Sequence, residues 1–136
     1  MTSNINQFLA DTNKEIEKMQ KEQVSYGKNV ILTAHKSLVE QSPVDLGQFM
    51  HNHIMTVNHS TNEVKTEDGE DRDEAFDFNS KGADGLKFKH GDSIYIQNNL
   101  DYADALEAGH SKQKPAGTYG VTERRMEKFL SKKEEI

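Results

Sequence analysis

SIYIQNNLDYADALEAGHSKQKPAG, residues 93–117, is the stretch that decides the fold. Its first part, 93–98, alternates between apolar and polar side chains, which predicts a short β-strand. Residues 101–109 predict a short helix, and 110–119 a polar loop. The amphipathic pattern that follows predicts a C-terminal helix over 120–133.

The short helix carries the most distinctive side chain of this stretch, the aromatic ring of Tyr102. Asp101 before it is a favoured N-cap residue, and Gly109 can adopt the left-handed conformation that closes a helix. A tyrosine has a large apolar body and a hydroxyl group that needs a partner. We therefore expect Tyr102 to anchor either the core of the chain or a contact between subunits.

Residues 1–41 predict a long amphipathic helix. Apolar or small side chains recur at three-to-four spacing, as expected for one helix face: Ile5, Phe8, Leu9, Ile16, Met19, Tyr26, Val30, Ile31, Ala34 and Leu38. Pro43 disfavours helical geometry at Ser42, so the helix should end near Gln41. Because this helix is longer than a small sheet can cover, we expect its N-terminal half to project and to pack on another subunit.

Strands are predicted between the helices, over 48–98. Residues 42–47 are predicted to form a turn that leads into a first strand, 48–58, in which apolar side chains partly alternate. Residues 86–89 are predicted to pair with the strand at 93–98 as a hairpin.

An acidic loop is predicted to interrupt these strands over 63–85. Its acids are Glu67, Asp68, Glu70, Asp71, Asp73, Glu74 and Asp77. Arg72 is the only base among them, and such a run of like charges is typical of a solvated, mobile loop. Phe76 and Phe78 alternate near its end and suggest a short edge strand.

Composition predicts one domain with a small core. The chain has 136 residues, of which 33% are hydrophobic, and its mean hydropathy is −0.88. A chain of this length fits a single α+β domain, 1–136. We expect a long N-terminal helix and a short C-terminal helix packed on a small, mainly antiparallel β-sheet with the acidic loop as an insert. So few apolar side chains indicate either exposed elements or a core completed by neighbouring subunits.

Charge and residue usage exclude several classes of partner. The net charge of −6 argues against a surface that grips nucleic acid, which needs clustered Lys and Arg. Cysteine is absent, so disulfides, thiolate nucleophiles and cysteine zinc sites are excluded. No stretch approaches the roughly 18 consecutive apolar residues of a membrane span, and the N-terminus lacks a hydrophobic signal core. We expect a soluble protein made in a cytoplasm, with no membrane partner.

His51 and His53 are the one pair of side chains that suggests metal chemistry. Two residues apart in a strand, they would share a face, and with His59 or a carboxylate they could bind Zn²⁺. The alternative is two polar side chains on the solvent-facing side of an edge strand. Because a third ligand motif is missing, a metal-dependent nuclease using His51 and His53 is an alternative function only.

Other catalytic patterns are weaker. Glu107 and His110 could form an acid–base pair, but at a helix end a surface hydrogen bond is the commoner arrangement. The acidic segment lacks the glycine and glutamate positions of a helix-loop-helix calcium site. The chain has neither a Gly-x-Ser-x-Gly turn nor a glycine-rich phosphate loop. The sequence therefore predicts no enzyme, no catalytic residues, no cofactor and no metal site.

Several short motifs recur in one order along the chain: Pro43-Val44-Asp45-Leu46-Gly47, Asn98, Tyr102-Ala103, Glu107-Ala108-Gly109 and Ser111-Lys112-Gln113-Lys114-Pro115-Ala116-Gly117. In order and spacing, together with the long N-terminal helix, they resemble the tail-completion and head–tail connector (neck) proteins of long-tailed bacteriophages. The resemblance covers most of the chain, although the acidic segment is not part of the family's pattern.

The resemblance implies a non-enzymatic virion protein assembled in the host cytoplasm. It would form a homo-oligomeric ring, a hexamer or dodecamer, at the neck or the top of the tail. The ring would complete the tail and join the tail tube to the head connector, while genomic DNA passes through without sequence-specific binding. The implied structural or subunit-interface residues are Pro43, Asp45, Gly47, Asn98, Tyr102, Ala103, Glu107, Gly109, Gln113, Pro115 and Gly117.

Two further functions remain open at this point. A tail terminator, which caps the growth of the tail tube, belongs to the same class of virion protein. An adaptor that binds a host protein through the acidic loop belongs to a different class.

Overall fold

The computed structural model describes residues 2–84 and 87–134. Along the chain it contains α1 (Thr2–Glu40), β1 (Ile54–Val57), α2 (Arg72–Asp84), β2 (Ile94–Gln97), α3 (Ala103–Glu107) and α4 (Tyr119–Glu134). The α+β prediction is confirmed: a long N-terminal and a short C-terminal helix accompany a two-stranded antiparallel sheet.

The C-terminal end of α1 is held by hydrogen bonds to its last carbonyl groups, which have no partner within the helix. The Ser42 hydroxyl donates to the carbonyl of Leu38 at 2.6 Å. The Arg72 guanidinium donates to the carbonyls of Val39 at 2.6 Å and Ser42 at 2.9 Å. A positive charge is also favourable at this end of a helix dipole. The helix ends where Pro43 predicted.

The core lies around this helix end and contains as many polar as apolar side chains. In the described ranges the buried hydrophobic residues are Leu38, Val39, Phe49, Met50, Ile54, Met55, Ala75 and Leu100. Buried with them are His35, Ser37, Ser42, His51, Asn52, His53, Asn79, Thr118 and Thr122. Buried polar groups contribute little unless they are hydrogen-bonded, so this core depends on its hydrogen bonds for a defined structure.

The first predicted strand, 48–58, is shorter than expected. Only Ile54–Val57 is a strand, and it pairs with β2 so that Ile54 faces Gln97 and Val57 faces Ile94. Residues 48–51 form a turn instead, since backbone groups three residues apart bond to each other, as in His51 N to Gln48 O at 3.2 Å. These local bonds replace the ladder that a longer strand would need.

The predicted hairpin between 86–89 and 93–98 is wrong for the described part of this segment. Residues 87–89 are not a strand, residue 86 lies outside the described residues, and the partner of β2 is β1. The Asp92 carboxylate accepts a bond from the Lys89 amide at 2.9 Å. This bond closes a turn at 89–92 in place of a second pair of strands.

The predicted acidic loop, 63–85, contains a helix, which is the largest correction to the sequence analysis. Helix α2 begins at Arg72, within the acidic run, and packs against α1. Ala75 is completely buried and forms a cluster with Val39 and Met50. The Asn79 side chain donates to the carbonyl of Met50 at 2.8 Å. This segment is therefore part of the core.

The charge pattern hid this helix because the three acids whose side chains are described on it, Asp73, Glu74 and Asp77, lie on one side. The seven acidic residues named above are exposed, whereas Ala75 and Asn79, four apart, face the core. Asp71 caps α2, accepting from the amides of Asp73 at 2.9 Å and Glu74 at 3.3 Å. The predicted edge strand at Phe76 and Phe78 is wrong, because both lie within α2.

Helix α4 packs against the C-terminal half of α1. Ser37 of α1 and Thr122 of α4 share a buried hydroxyl–hydroxyl bond of 2.8 Å, and Arg125 donates to the Ser37 hydroxyl at 3.2 Å. By contrast, residues 4–23 of α1 are exposed throughout. None of the helices in the described ranges is long and apolar enough to cross a membrane.

The buried position of Ala75 generates a stability prediction. Ala75→Leu should lower the free energy of unfolding by about 1–3 kcal/mol, because no space is left between Val39 and Met50 for three more carbons. Asp77→Leu, on the exposed side of α2, is the control and should change it by less than about 0.5 kcal/mol. Urea unfolding measures both. Equal stability of the two variants would show that α2 is not packed in the core.

Candidate functional site

The turn at 43–47 is fixed by an unusual backbone conformation at Gly47. Its φ of +88° is rarely adopted by residues with a side chain. A Cβ at this position would also collide with the carbonyl of Gly69. The Gly69 amide in turn donates to the carbonyl of Leu46 at 2.8 Å. Only glycine fits at position 47, and the turn is held against the loop at residue 69.

Gln113 attaches the C-terminal loop to the same turn. Its side-chain oxygen accepts from the amide of Val44 at 2.8 Å, and its side-chain nitrogen donates to the carbonyl of Val44 at 2.7 Å. This two-bond arrangement satisfies both backbone groups of one residue, as a neighbouring β-strand would. Residues 69 apart in sequence are thereby held in register.

Glu107 caps the N-terminus of α4. Its carboxylate accepts from three successive amides: Thr118 at 2.9 Å, Tyr119 at 2.5 Å and Gly120 at 3.2 Å. These amides have no partner within the helix, and a negative charge is favourable there. Gly117, with φ of +86°, is buried against this carboxylate, and a Cβ there would collide with Glu107 Oε2. Glu107 and Gly117 therefore act together.

The remaining motif residues join the same assembly. The Asn98 side chain donates to the carbonyl of Phe49 at 2.8 Å. Gly109 has the predicted positive φ, +92°, and a Cβ there would lie 2.7 Å from the carbonyl oxygen of Pro115. Ala103 lies with Asn98 in a smaller depression of about 260 Å³. The motif residues thus connect loops that lie far apart in the sequence.

These loops enclose a surface pocket of about 450 Å³, which we call the turn pocket. The turn at 43–47 forms one wall, and Tyr102, Leu106 and Gln113 line the other. Leu46 is 68% exposed and Tyr102 is 43% exposed. Both apolar side chains are therefore available at the pocket surface, and Asp45 adds a negative charge between them.

Tyr102 is 43% exposed at the pocket, so it is not part of the buried core. Burial and the neighbouring Asp45 carboxylate raise the pKa of its hydroxyl. The predicted cap at Asp101 is wrong. The N-cap residue of α3 is Tyr102 itself, and no side chain caps the helix.

His51 and His53 do not form the predicted pair on a strand face, because neither lies in β1 and both are buried. The Nδ1 atom of His51 bonds to the carbonyl of Gly47 at 2.7 Å. His53 bonds through Nε2 to the Ser42 hydroxyl at 2.7 Å and through Nδ1 to the Tyr119 hydroxyl at 2.8 Å. The solvent-facing alternative is therefore also wrong, and both nitrogens of His53 are occupied by protein groups.

The hydrogen bonds of Ser42 determine the tautomer of His53. Ser42 donates its only proton to Leu38 O, so it must accept from the Nε2–H of His53. The Nδ1 atom then accepts from the hydroxyl of Tyr119. Burial, with a smaller effect of nearby His35, lowers the pKa of His53 to about 3, and burial alone lowers that of His35 to about 4. Both rings are neutral at pH 7.

The chemical groups of this region serve positioning. No cluster of three metal-ligating side chains occurs in the described part of the chain. Ser42 is completely buried, and its proton is committed to a backbone carbonyl, so it is not placed as a nucleophile. Glu107 is bound to three amides, and no hydrogen bond joins it to exposed His110 among the described contacts.

Comparisons with protein-family models, with curated proteins and with solved structures gave no match to this chain.

Sequence reasoning missed the residues that hold α1 in place. Arg72 was noted only as the single base in an acidic run. Its position as a lone arginine beside seven acids was the available signal, because an arginine can donate to the carbonyl groups at a helix C-terminus.

Asn52 was missed altogether. It bonds to both the amide of Lys65, at 2.7 Å, and its carbonyl, at 3.0 Å.

The cap at Glu107 generates a second prediction. Glu107→Gln should lower the free energy of unfolding by about 1–2 kcal/mol, because a single amide oxygen without charge replaces a carboxylate that serves three amides. Glu123→Gln, exposed on α4, makes the same chemical change and should cost less than about 0.5 kcal/mol. The account of the cap is wrong if urea unfolding gives equal losses.

The buried histidines generate a pH prediction. An unfolded histidine has a pKa near 6.5, so below that pH the unfolded chain binds protons that folded His35 and His53 do not. Stability should therefore fall as pH decreases from 6.5 towards 4, by on the order of 2 kcal/mol per histidine at pH 5. His35→Phe keeps a ring stacked on Phe76 and should remove about half of this loss.

The control is His110→Phe, at an exposed position, which should leave the pH dependence unchanged. Thermal melting at pH 7, 6 and 5 gives the comparison. If His35→Phe retains the full dependence between pH 7 and 5, His35 is not buried in its neutral form.

Proposed function

We propose that this chain is a structural virion subunit of a tailed bacteriophage, which forms a ring at the neck or the top of the tail. The ring completes the tail and joins the tail tube to the head connector. The observation that carries the proposal is that the motif residues hold loops distant in sequence around the turn pocket, and five of them line it: Pro43, Asp45, Gly47, Tyr102 and Gln113. Gly47, Gln113 and Glu107 each hold a loop through backbone contacts, and none is placed for chemistry on a substrate.

The exposed surface supports an assembling protein. The loops held by these residues present Leu46 and Tyr102 at the rim of the pocket. Rigidly positioned loops with an exposed aromatic side chain are typical of protein–protein contacts. In a closed ring each subunit uses one patch to meet a different patch on the next copy, and the turn pocket is one such patch.

Composition supports the same setting. Several large apolar side chains, Leu46 and Tyr102 among them, stay exposed and form surface that neighbours could bury. The net charge of −6 suits a conduit through which DNA passes without adhering, because like charges repel the phosphate backbone.

Tyr102→Ala tests the proposal. We expect an unchanged circular dichroism spectrum and melting temperature but a loss of ring-shaped oligomers. The reason is that the Tyr102 side chain is 43% exposed at the proposed contact surface. Tyr95→Ala is a matched control, since Tyr95 in β2 is also 43% exposed. Native mass spectrometry and negative-stain electron microscopy of the purified chain count the subunits. Rings as abundant as those of the unaltered chain would contradict a role for the turn pocket in assembly.

Placement in the virion has its own test. In particles of a tailed phage that encodes this chain, density maps should place it as a closed ring between head and tail tube. Absence from such particles would contradict the proposed function, whatever the chain forms in isolation.

A further inference from the structure

The N-terminal half of α1 is an amphipathic helix that its own chain does not cover. Residues 4–23, which we call the arm, are exposed at every position. Five large apolar side chains on it are 47–67% exposed: Ile5, Phe8, Leu9, Ile16 and Met19. At about 100° per residue these five fall within a sector of about 100°, so they form one continuous stripe. An isolated helix of this length is marginal in water, and the stripe indicates a partner.

A groove lies beside α1 and begins near the end of the arm, at Glu17. Next to the arm, α1 and the loop at 88–92 enclose one hollow of about 780 Å³ and a second of about 360 Å³. We call them together the Phe88 groove. Its apolar lining consists of Val24, Val30, Ile31, Phe88, Ile94 and Leu130. Leu130, on α4, is 38% exposed within it.

The stripe and the α1 wall of the groove match in length, and the smaller hollow is lined mainly by apolar side chains, as the stripe is. The stripe extends from Ile5 to Met19, and the α1 wall of the groove from Glu17 to Ile31. Each distance is 14 residues, or about 21 Å of helix. An apolar stripe of one helix laid along an apolar groove is an ordinary mode of helix recognition.

The arm of the same chain cannot occupy this groove. Arm and groove wall belong to one uninterrupted helix, Thr2–Glu40. Residue 12, in the middle of the stripe, lies about 22 Å along the axis from residue 27 in the groove wall. We infer that the Phe88 groove receives the arm of a second copy of this chain.

Charge favours a second copy over a membrane surface. Helices that lie on anionic bilayers have a strongly basic polar face. The arm instead carries four acids, Asp11, Glu15, Glu17 and Glu22, and three bases, Lys14, Lys18 and Lys21. Such a nearly balanced surface can pair with the acids and bases of an identical chain.

Absence of cysteine makes the contact directly testable by cross-linking. The double variant Thr12→Cys/Leu130→Cys places one thiol on the stripe and one in the groove, and a short bismaleimide should join them between copies. Two controls isolate this contact. Thr12→Cys alone should not cross-link, and Lys18→Cys/Leu130→Cys, with its first thiol on the opposite helix face, should cross-link far less.

A second set of variants tests the stripe without cysteines. Phe8→Glu/Ile16→Glu should raise the concentration needed for association by more than about tenfold, because carboxylates would enter an apolar groove. Lys14→Gln/Lys18→Gln changes the charge by the same amount on the polar face and should leave association unchanged. Sedimentation velocity measures both. The melting temperature of the monomer should stay constant, since the arm is exposed.

The outcomes separate this inference, which rests on the proposed function for its setting, from the function itself. Cross-linked ladders beyond the dimer support both, and a dimer alone supports the docked arm but contradicts a ring. Rings that survive Phe8→Glu/Ile16→Glu overturn the docked arm and leave the ring intact. Efficient cross-linking of Thr12→Cys alone, or protection of the arm by anionic vesicles and not by a second copy, also overturns it.

Discussion

The structure depends on the capture of the C-terminal end of α1. Its last carbonyl groups accept hydrogen bonds from three separate parts of the chain: the Ser42 hydroxyl, the Arg72 guanidinium at the start of α2, and the Thr118 hydroxyl just before α4, which donates to the carbonyl of Gln41 at 2.9 Å. These bonds serve carbonyl groups that the end of the helix leaves without partners within the helix. The same turn of helix therefore positions both of the other long helices.

This arrangement explains why so few apolar side chains suffice for the body. Hydrogen-bonded side chains such as His53, Asn52 and Asn98 specify how the loops lie, and the small cluster of Val39, Met50 and Ala75 fills the space between helices. It also creates an asymmetry within α1. Its last turn, from His35 to Val39, reaches into the core, whereas the arm presents its apolar stripe to solvent. The chain thus carries surface that only a neighbour can bury.

Much of the architecture is predictable from sequence because it follows from periodicity and from strong local signals. The spacing of apolar residues predicted α1 and α4, and Pro43 predicted where α1 ends. Helix α2 was missed because exposed acids dominate its composition, while Ala75 and Asn79 are the buried side chains among the described residues 72–81. Charge runs indicate a solvated face, but they do not distinguish a loop from a helix with one such face.

The motif residues could be named from the sequence, but the contacts that they make could not. Gly109 and the other motif positions were identified in advance, yet nothing local to Gln113 indicates that it binds Val44, 69 residues earlier. The two histidines were misjudged for a related reason. Their environment comes from Ser42 and Tyr119, which a strand-based pattern cannot bring near position 53. Contacts distant in sequence carry the information that was missing.

Hydrogen–deuterium exchange along α1, followed by mass spectrometry at low and high protein concentration, tests the central claim that copies of the chain complete one another. The account predicts rapid exchange of residues 4–23 in the dilute monomer and strong protection of them in the concentrated sample. Residues 35–42 should exchange slowly at both concentrations, because they lie in the core. Equally rapid exchange of residues 4–23 at both concentrations would contradict the account.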